Sequence, residues 1–248
     1  MIDDDGRAER RAATWATSRT SSGERPSLCL FDLDETLLPL DSDHAWGEFV
    51  TKLGWVDPAE FARRNDAFYA QYKAGSLDIH EYIAFATEPL RERSAAETAA
   101  AHWRFMDEVI GPNLHPTALD LVRSHRERGD RIALVTATND FITAPIARAF
   151  GIDTLIAVRL EKGPGGNITG RIDGTPSYRE GKVHRVAQWL NESGADWADF
   201  GRISVYSDSV NDLALLERAT EPVATNPSAA LEAIALERGW RVLQLFKQ

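Results

Sequence analysis

The chain has 248 residues and a formal net charge of −10, from 28 Lys and Arg against 38 Asp and Glu. Hydrophobic residues make up 43% and charged residues 27%, a globular mix that excludes disordered, collagen-like and disulfide-scaffold classes. The acidic balance speaks against nucleic acid and against an anionic membrane surface as partners, since both need a basic face.

Residues 1–26 carry five acids and five arginines that cancel, and no apolar core of a secretory signal, so they are expected to be a disordered tail. Ser27–Leu33 is a short apolar run without helical period, which reads as a buried parallel strand. It holds Cys29, the single cysteine, expected to be a buried structural thiol in a reducing, cytoplasmic setting. From 44 to 115 the pattern is helical, with helix starts at Asp57-Pro58-Ala59-Glu60 and at Ser94-Ala95-Ala96-Glu97. Alternation follows. His115-Pro116 opens a helix, Asp130–Thr138 is a strand, Phe141–Phe150 a helix and Thr154–Glu161 a strand. Gly163–Gly174 reads as a hairpin or loop, and Ser177-Tyr178-Arg179-Glu180 as a capping box for a helix reaching Ser193. Arg202–Ser207 is a strand, Asp212–Arg218 a helix and Glu221–Thr225 a strand. Asn226-Pro227 opens a helix ended by Gly239, and Arg241–Phe246 is a last strand. No run reaches the roughly 18 apolar residues of a membrane span.

Strand–helix–strand alternation implies an α/β fold with a Rossmann-like parallel sheet, whose ligands bind at the carboxyl ends of the strands. The residues at those ends form a pattern. Asp32 and Asp34 follow the first strand, Thr136 and Thr138 the second, and Asp208, Asn211 and Asp212 the strand Arg202–Ser207, while Lys182 starts the preceding helix. Clustered carboxylates repel unless a hard divalent cation sits among them, and Mg²⁺ prefers oxygen ligands and phosphate substrates. A lysine and a hydroxyl beside it suit phosphoryl oxygens. One aspartate could attack phosphorus and a second, two residues on, could move the proton of the leaving group.

Phe31-Asp32-Leu33-Asp34-Glu35-Thr36-Leu37-Leu38 resembles the first motif of the haloacid dehalogenase superfamily. Thr136 resembles the second, Lys182 the third, and Ser207-Asp208-Ser209-Val210-Asn211-Asp212 the fourth, in the right order over residues 27–248. The resemblance implies a core of residues 27–43 and 116–248 with an all-helical cap inserted at 44–115, as in the phosphoserine phosphatases and similar small-molecule phosphatases. It implies a Mg²⁺-dependent phosphomonoesterase working through an aspartyl-phosphate. Asp32 would be the nucleophile, Asp34 the general acid/base, and Asp32, the backbone carbonyl of Asp34 and Asp208 the metal ligands. Thr136, Ala137 and Lys182 would bind the phosphoryl group, Asp212 would orient Lys182 or the metal's waters, and Asn211 would face the substrate. A phosphotransferase or mutase, or a noncatalytic phosphoacceptor module, are the alternatives.

In the phosphoserine phosphatases an acid after the first motif binds the substrate amine, and Asp41 stands at that position; capping of the next helix by Asp41, Ser42 or Asp43 is the competing role. Their carboxylate-binding arginine falls near Ala86 here, with Arg63, Arg64, Arg91 and Arg93 as possible substitutes. Asp41 with Ala86 favours a substrate with an amine and no carboxylate, an amino-alcohol phosphate such as histidinol phosphate, beside phosphoserine itself. His44 is expected to pack or lie at the surface.

Overall fold

The first apolar run forms β1 (Ser27–Phe31), whose Leu28, Cys29, Leu30 and Phe31 are fully buried. The computed structural model describes residues 25–246, so the expected tail lies outside the described residues except for Arg25 and Pro26. The Pro26 carbonyl accepts a hydrogen bond from the Gly201 amide at 3.0 Å.

Six α-helices, with a π-helical turn (Met106–Ile110) and a 3₁₀ turn (Gly111–Asn113) before the last of them, separate β1 from the next strand. They are α1 (Ser42–Lys52), α2 (Pro58–Lys73), α3 (Ile79–Ala86), the single turn α4 (Glu88–Arg91), α5 (Ala95–Phe105) and α6 (Pro116–Glu127). The capping reasoning holds at two of them. Asp57 accepts from the Glu60 amide with Pro58 in the first turn of α2, and Ser94 and Glu97 form a reciprocal capping box on α5.

β1 pairs in parallel with β2 (Arg131–Asn139) on one side and β6 (Arg202–Ser207) on the other. β3 (Leu155–Val158) flanks β2, and β7 (Glu221–Thr225) and β8 (Arg241–Leu243) extend the sheet past β6. Among the described residues this is a six-stranded parallel sheet in the order β3-β2-β1-β6-β7-β8. The remaining helices are α7 (Asp140–Ala149), α8 (Glu180–Glu192), the short α9 (Leu213–Leu216) and α10 (Ala229–Arg238).

The side-chain alternation of β1 decides which helices cover which face. Leu28 and Leu30 pack with Val186 and Leu190 of α8 and Leu231 of α10. Cys29 and Phe31 face the other way, into a cluster with Trp46 of α1, Phe85 and Ala86 of α3, Phe105 of α5 and Val122 of α6. The helices between β1 and β2 thus share one continuous apolar core with the sheet. Cys29 is a free, buried thiol, and burial pushes its pKa up, so it packs as a small hydrophobe.

Several boundaries differ from the sequence reading. The expected strand Thr154–Glu161 breaks after Val158; Leu160–Lys162 becomes β4, which leaves the sheet to pair antiparallel with β5 (Ile168–Ile172). Ser177 does not cap α8. Its hydroxyl donates to the Ile156 carbonyl at 3.2 Å, and Arg179, at φ 51°, precedes the helix without a capping side chain. A serine in reach of a buried strand carbonyl satisfies that carbonyl first. The helix expected at Asp212 is a turn of 3₁₀ helix, Val210–Asp212, followed by α9, and α10 is capped by Ser228 rather than opened by Asn226. The last strand stops at Leu243.

The chain leaves β1 toward β2 and later returns to β6 on the opposite side, so the crevice between the carboxyl ends of β1 and β6 is the topological switch point where such sheets bind ligands.

Candidate active site

Asp32 is the first residue past β1, and its amide donates to the Tyr206 carbonyl of β6 at 2.9 Å. The chain then winds tightly: the Leu33 carbonyl accepts from the amides of Thr36, Leu37 and Leu38. Glu35 adopts φ 57° at the turn. A side chain in that region costs on the order of 1 kcal/mol or more, and persists where the surroundings over-determine it. Here Asn226 Nδ2 donates to the carbonyls of Glu35 and Thr36 at 3.0 and 3.1 Å, and the Glu35 carboxylate pairs with Lys73 and accepts from Tyr69 Oη at 2.8 Å.

The winding brings three polar side chains to the crevice. Thr36 Oγ1 lies 3.1 Å from Asp32 Oδ2 and 3.3 Å from Asp208 Oδ1, and accepts from the Asp208 amide at 3.0 Å. Lys182, fully buried at the start of α8, donates to Asp32 Oδ1 at 2.8 Å and to Asp212 Oδ2 at 2.7 Å. Ser207 Oγ donates to the same Asp212 oxygen at 2.8 Å. Asp34 Oδ1 accepts from the Ser42 amide at the start of α1 at 2.8 Å, and its Oδ2 accepts from Thr138 Oγ1 at 2.8 Å and from Thr136 Oγ1 at 3.4 Å.

Charge follows from burial and neighbours. Burial pushes Asp32 up, opposed by Lys182 and aided by Asp34. Burial also raises Asp208 well above the usual carboxylate range, with the Asp32 charge adding to it. Asp212 is pushed up to about 6 by burial, with Lys182 pulling it back. Burial would lower Lys182, but Asp212 and Asp32 override it and hold the ammonium above its ordinary value, so it stays protonated.

Asp32 and Asp208 therefore point one oxygen each at the same hydroxyl, both buried and mutually repelling. That is a donor set an oxygen-seeking divalent cation fits. Among the described residues no three His, Cys, Asp or Glu side chains gather as a metal-holding group.

The other expected residues fall around this centre. Ala137 lines the adjoining pocket, and the Thr136 hydroxyl also accepts from the Thr138 amide at 3.1 Å. Asn211 Nδ2 donates to the Tyr72 carbonyl of α2 at 3.0 Å, tying the helical stretch to the strand ends. Asp41 caps α1: its Oδ1 accepts from the Asp43 and His44 amides at 3.0 and 2.8 Å, and it lines the pocket as well. His44 also lines the pocket while its Nε2 sits 3.0 Å from Asp66 Oδ1.

That pocket opens beside Asp34 between α1, α2, α3 and β2. Asp41, Asp43, Tyr69, Tyr72 and Tyr82 are among its walls, and no lysine or arginine is. The arginines considered as substitutes point elsewhere. Arg63 pairs with Glu60, Arg64 with Glu88, Arg91 donates to the Ala84 carbonyl, and Arg93 lies over Trp55. Ala86 is buried in the apolar core.

Residue reading missed Thr36, Glu35 and Asn226 as site residues, and named Thr138 only as a strand end. The available signal was the motif's own threonine, whose single hydroxyl proton can turn to either Asp32 or Asp208. Thr138→Val removes the 2.8 Å bond to Asp34 and is expected to lower kcat about 10-fold or more, since a hydrogen bond to a charged group contributes about 1.5–3 kcal/mol. Steady-state kinetics on any hydrolysed ester checks this, and an unchanged kcat would remove Thr138 from the positioning of Asp34.

Asp43 gives a second expectation. Burial, then the Asp34 charge, pushes its carboxyl up to about 7, against a hydrogen bond from Tyr82. The native carboxyl thus keeps its proton to higher pH than the unfolded one, at about 3.9. Its contribution to stability is full below about pH 4 and is lost as pH rises to about 7. Asp43→Asn should therefore flatten the decline of the unfolding midpoint across that window, measured by thermal unfolding at several pH values; an unaltered slope contradicts the assignment.

The chain belongs to the haloacid dehalogenase-like hydrolase family, whose model matches residues 29–217. It is 46% identical over 217 residues to a histidinol-phosphatase of Neisseria meningitidis serogroup C, covering 88% of this chain and 98% of that protein. It is 30% identical to a phosphoserine phosphatase of Mycobacterium tuberculosis, over 86% of this chain and 68% of the relative. Among solved structures, a protein of unknown function from Bordetella pertussis Tohama I superimposes with a TM-score of 0.85 at 52% identity, covering 90% of this chain and all of the other. A substrate-bound phosphoserine phosphatase gives 0.64 at 17% identity, over 89% and 93% of the two chains, a likeness of fold alone. Family and relatives make the chain a phosphatase. No helix among the described residues is long and apolar enough to cross a membrane.

Proposed function

We propose that the chain is a Mg²⁺-dependent phosphomonoesterase for a small amino-alcohol phosphate of the histidinol phosphate kind, acting through an aspartyl-phosphate on Asp32. The observation that carries the chemistry is the convergence of Asp32, Asp34, Lys182 and Asp208 on the crevice between β1 and β6. The substrate class is supported by the 46% identical histidinol-phosphatase and by a pocket with acids and aromatic rings on its walls but no lysine or arginine.

A carboxylate oxygen of Asp32 attacks phosphorus and the ester P–O bond breaks. Asp34, on the pocket side, gives a proton to the departing alkoxide. It then takes a proton from the water that attacks the phosphorus, which frees phosphate and restores Asp32. Lys182 stays charged beside Asp32 and draws the phosphoryl oxygens toward it, with Thr136 and Ala137 as further phosphoryl-binding groups. Asp212 and Ser207 fix the position of Lys182. Asp32, Asp208 and the backbone carbonyl of Asp34 would hold Mg²⁺, which when bound supplies positive charge against the acids and the phosphoryl oxygens. Residues 44–115 act as the cap over residues 27–43 and 116–248, and the contacts of Lys73, Tyr69 and Tyr72 with the core loops support this division.

The test is phosphate release from a panel of esters with and without Mg²⁺. Preference for amine-bearing, carboxylate-free esters, lost on chelation, is expected; a preference for phosphoserine, or no dependence on Mg²⁺, refutes it.

A further inference from the structure

Asp43 differs from the other acids of the pocket. The residue is 5% exposed and its Oδ1 is covered, yet that oxygen meets no hydrogen-bond partner among the described residues. Asp34 is satisfied by a backbone amide and two hydroxyls, and Asp41 by two amides of α1. An acid in the first turn of a helix is ordinary, because the helix dipole favours it. An exposed acid would serve that purpose. Tyr82 serves this carboxyl, but burying it with Oδ1 empty still costs the desolvation of that oxygen. The chain keeps the arrangement at the wall of a small-molecule pocket, next to Tyr82, Tyr72 and Phe68.

We propose that Asp43 is a specificity-determining residue whose Oδ1 accepts a hydrogen bond from a ring nitrogen of the leaving group, so that the substrate is an amino-alcohol phosphate carrying a flat, nitrogen-bearing aromatic ring. This rests on the phosphomonoesterase reading above and assigns the far end of the same pocket. Asp34 faces the scissile ester, Asp41 stands at the position matched to the substrate amine, and Asp43 is a third, separate acceptor. The aromatic rings give a flat cationic or donor-bearing ring a favourable surface. Burial and the Asp34 charge raise the Asp43 carboxyl in the free protein, and a protonated ring nitrogen would compensate the charge that burial penalises. No lysine or arginine lines the pocket wall to neutralise Asp43, and His44 on that wall is engaged with Asp66.

The experiment compares three esters that differ only in the ring: histidinol phosphate, phenylalaninol phosphate, and the ring-free 2-aminopropyl phosphate. The wild-type chain should favour histidinol phosphate over phenylalaninol phosphate by at least about 10-fold in kcat/KM, because a site built to hydrogen-bond a donor rejects the analogue lacking it. Asp43→Leu, close in shape and without an acceptor, should bring that ratio toward one by raising KM for histidinol phosphate. A ratio unchanged in the variant, or an equal loss on all three esters, overturns the proposal while leaving the phosphatase reading intact. Release of phosphate from none of the three by the wild-type chain overturns that reading, and the inference with it. Should Asp43→Leu not fold, competitive inhibition of the wild-type chain by histidinol and by phenylalaninol decides. Tighter binding of histidinol by about 10-fold or more supports the role, and equal inhibition constants overturn it.

Discussion

Asp32→Asn is expected to reduce turnover by about 10⁴-fold or more, the scale on which removing a nucleophile acts in other hydrolases. The loss should be chemical rather than structural. The amide oxygen of Asn still accepts from Lys182, where Asp32 Oδ1 accepts at 2.8 Å. Its nitrogen takes the place of Oδ2 beside Thr36 Oγ1, a hydroxyl that can turn its proton to Asp208, 3.3 Å away. One negative charge also leaves a buried group of acids in which burial already pushes Asp32 and Asp208 up. The unfolding midpoint should therefore stay within about 4 °C of the wild type, the shift that ~1 kcal/mol makes in a chain of this size. Phosphate release and thermal unfolding on the same preparation check both halves. A folded Asp32→Asn with undiminished turnover would refute the nucleophile assignment.

Lys182→Met should act in the opposite way, on stability as much as on rate. The ammonium is the partner of two buried carboxylates, and its own surface is almost wholly covered. Removing one member of a buried ion pair costs about 3–5 kcal/mol, because the remaining charges stay in a poor dielectric. The sign of the pH dependence follows from the acids left behind. Asp212 is pushed up to about 6 even with Lys182 beside it, and without it both Asp212 and Asp32 rise further. The native variant then holds protons that the unfolded chain releases above about pH 4, so its stability falls as pH rises. The loss relative to wild type should be larger at pH 8 than at pH 5. Urea unfolding at those two values measures it. A variant as stable as wild type at pH 8 would mean that Asp32 and Asp212 do not depend on Lys182.

Much of this site is local in the chain, which is why it could be read there. Asp32 and Asp34 follow a four-residue apolar stretch that has no choice but to be the middle of a buried sheet, and Asp208 and Asp212 follow another such strand. A parallel sheet places all such ends on one edge, so four distant segments meet without any knowledge of contacts. Boundaries that depend on which of two hydrogen bonds wins were read less well. Ser177 has the spacing of a cap but lies against the Ile156 carbonyl, and the strand after Thr154 divides where β4 turns out to join β5.

Fold class, the order of the motifs and the types of group at the strand ends were legible in the residues alone, because periodicity and strand-end placement are properties of neighbouring residues. How those groups are used was set by packing between distant elements. That packing set the Thr36 hydroxyl between Asp32 and Asp208, spent Asp41 Oδ1 on the start of α1, and turned Arg63, Arg64, Arg91 and Arg93 away from the pocket. It also left Asp43 buried with a vacant acceptor. Each of these depends on burial and on direction across elements far apart in the chain, and a pattern of residue types carries neither.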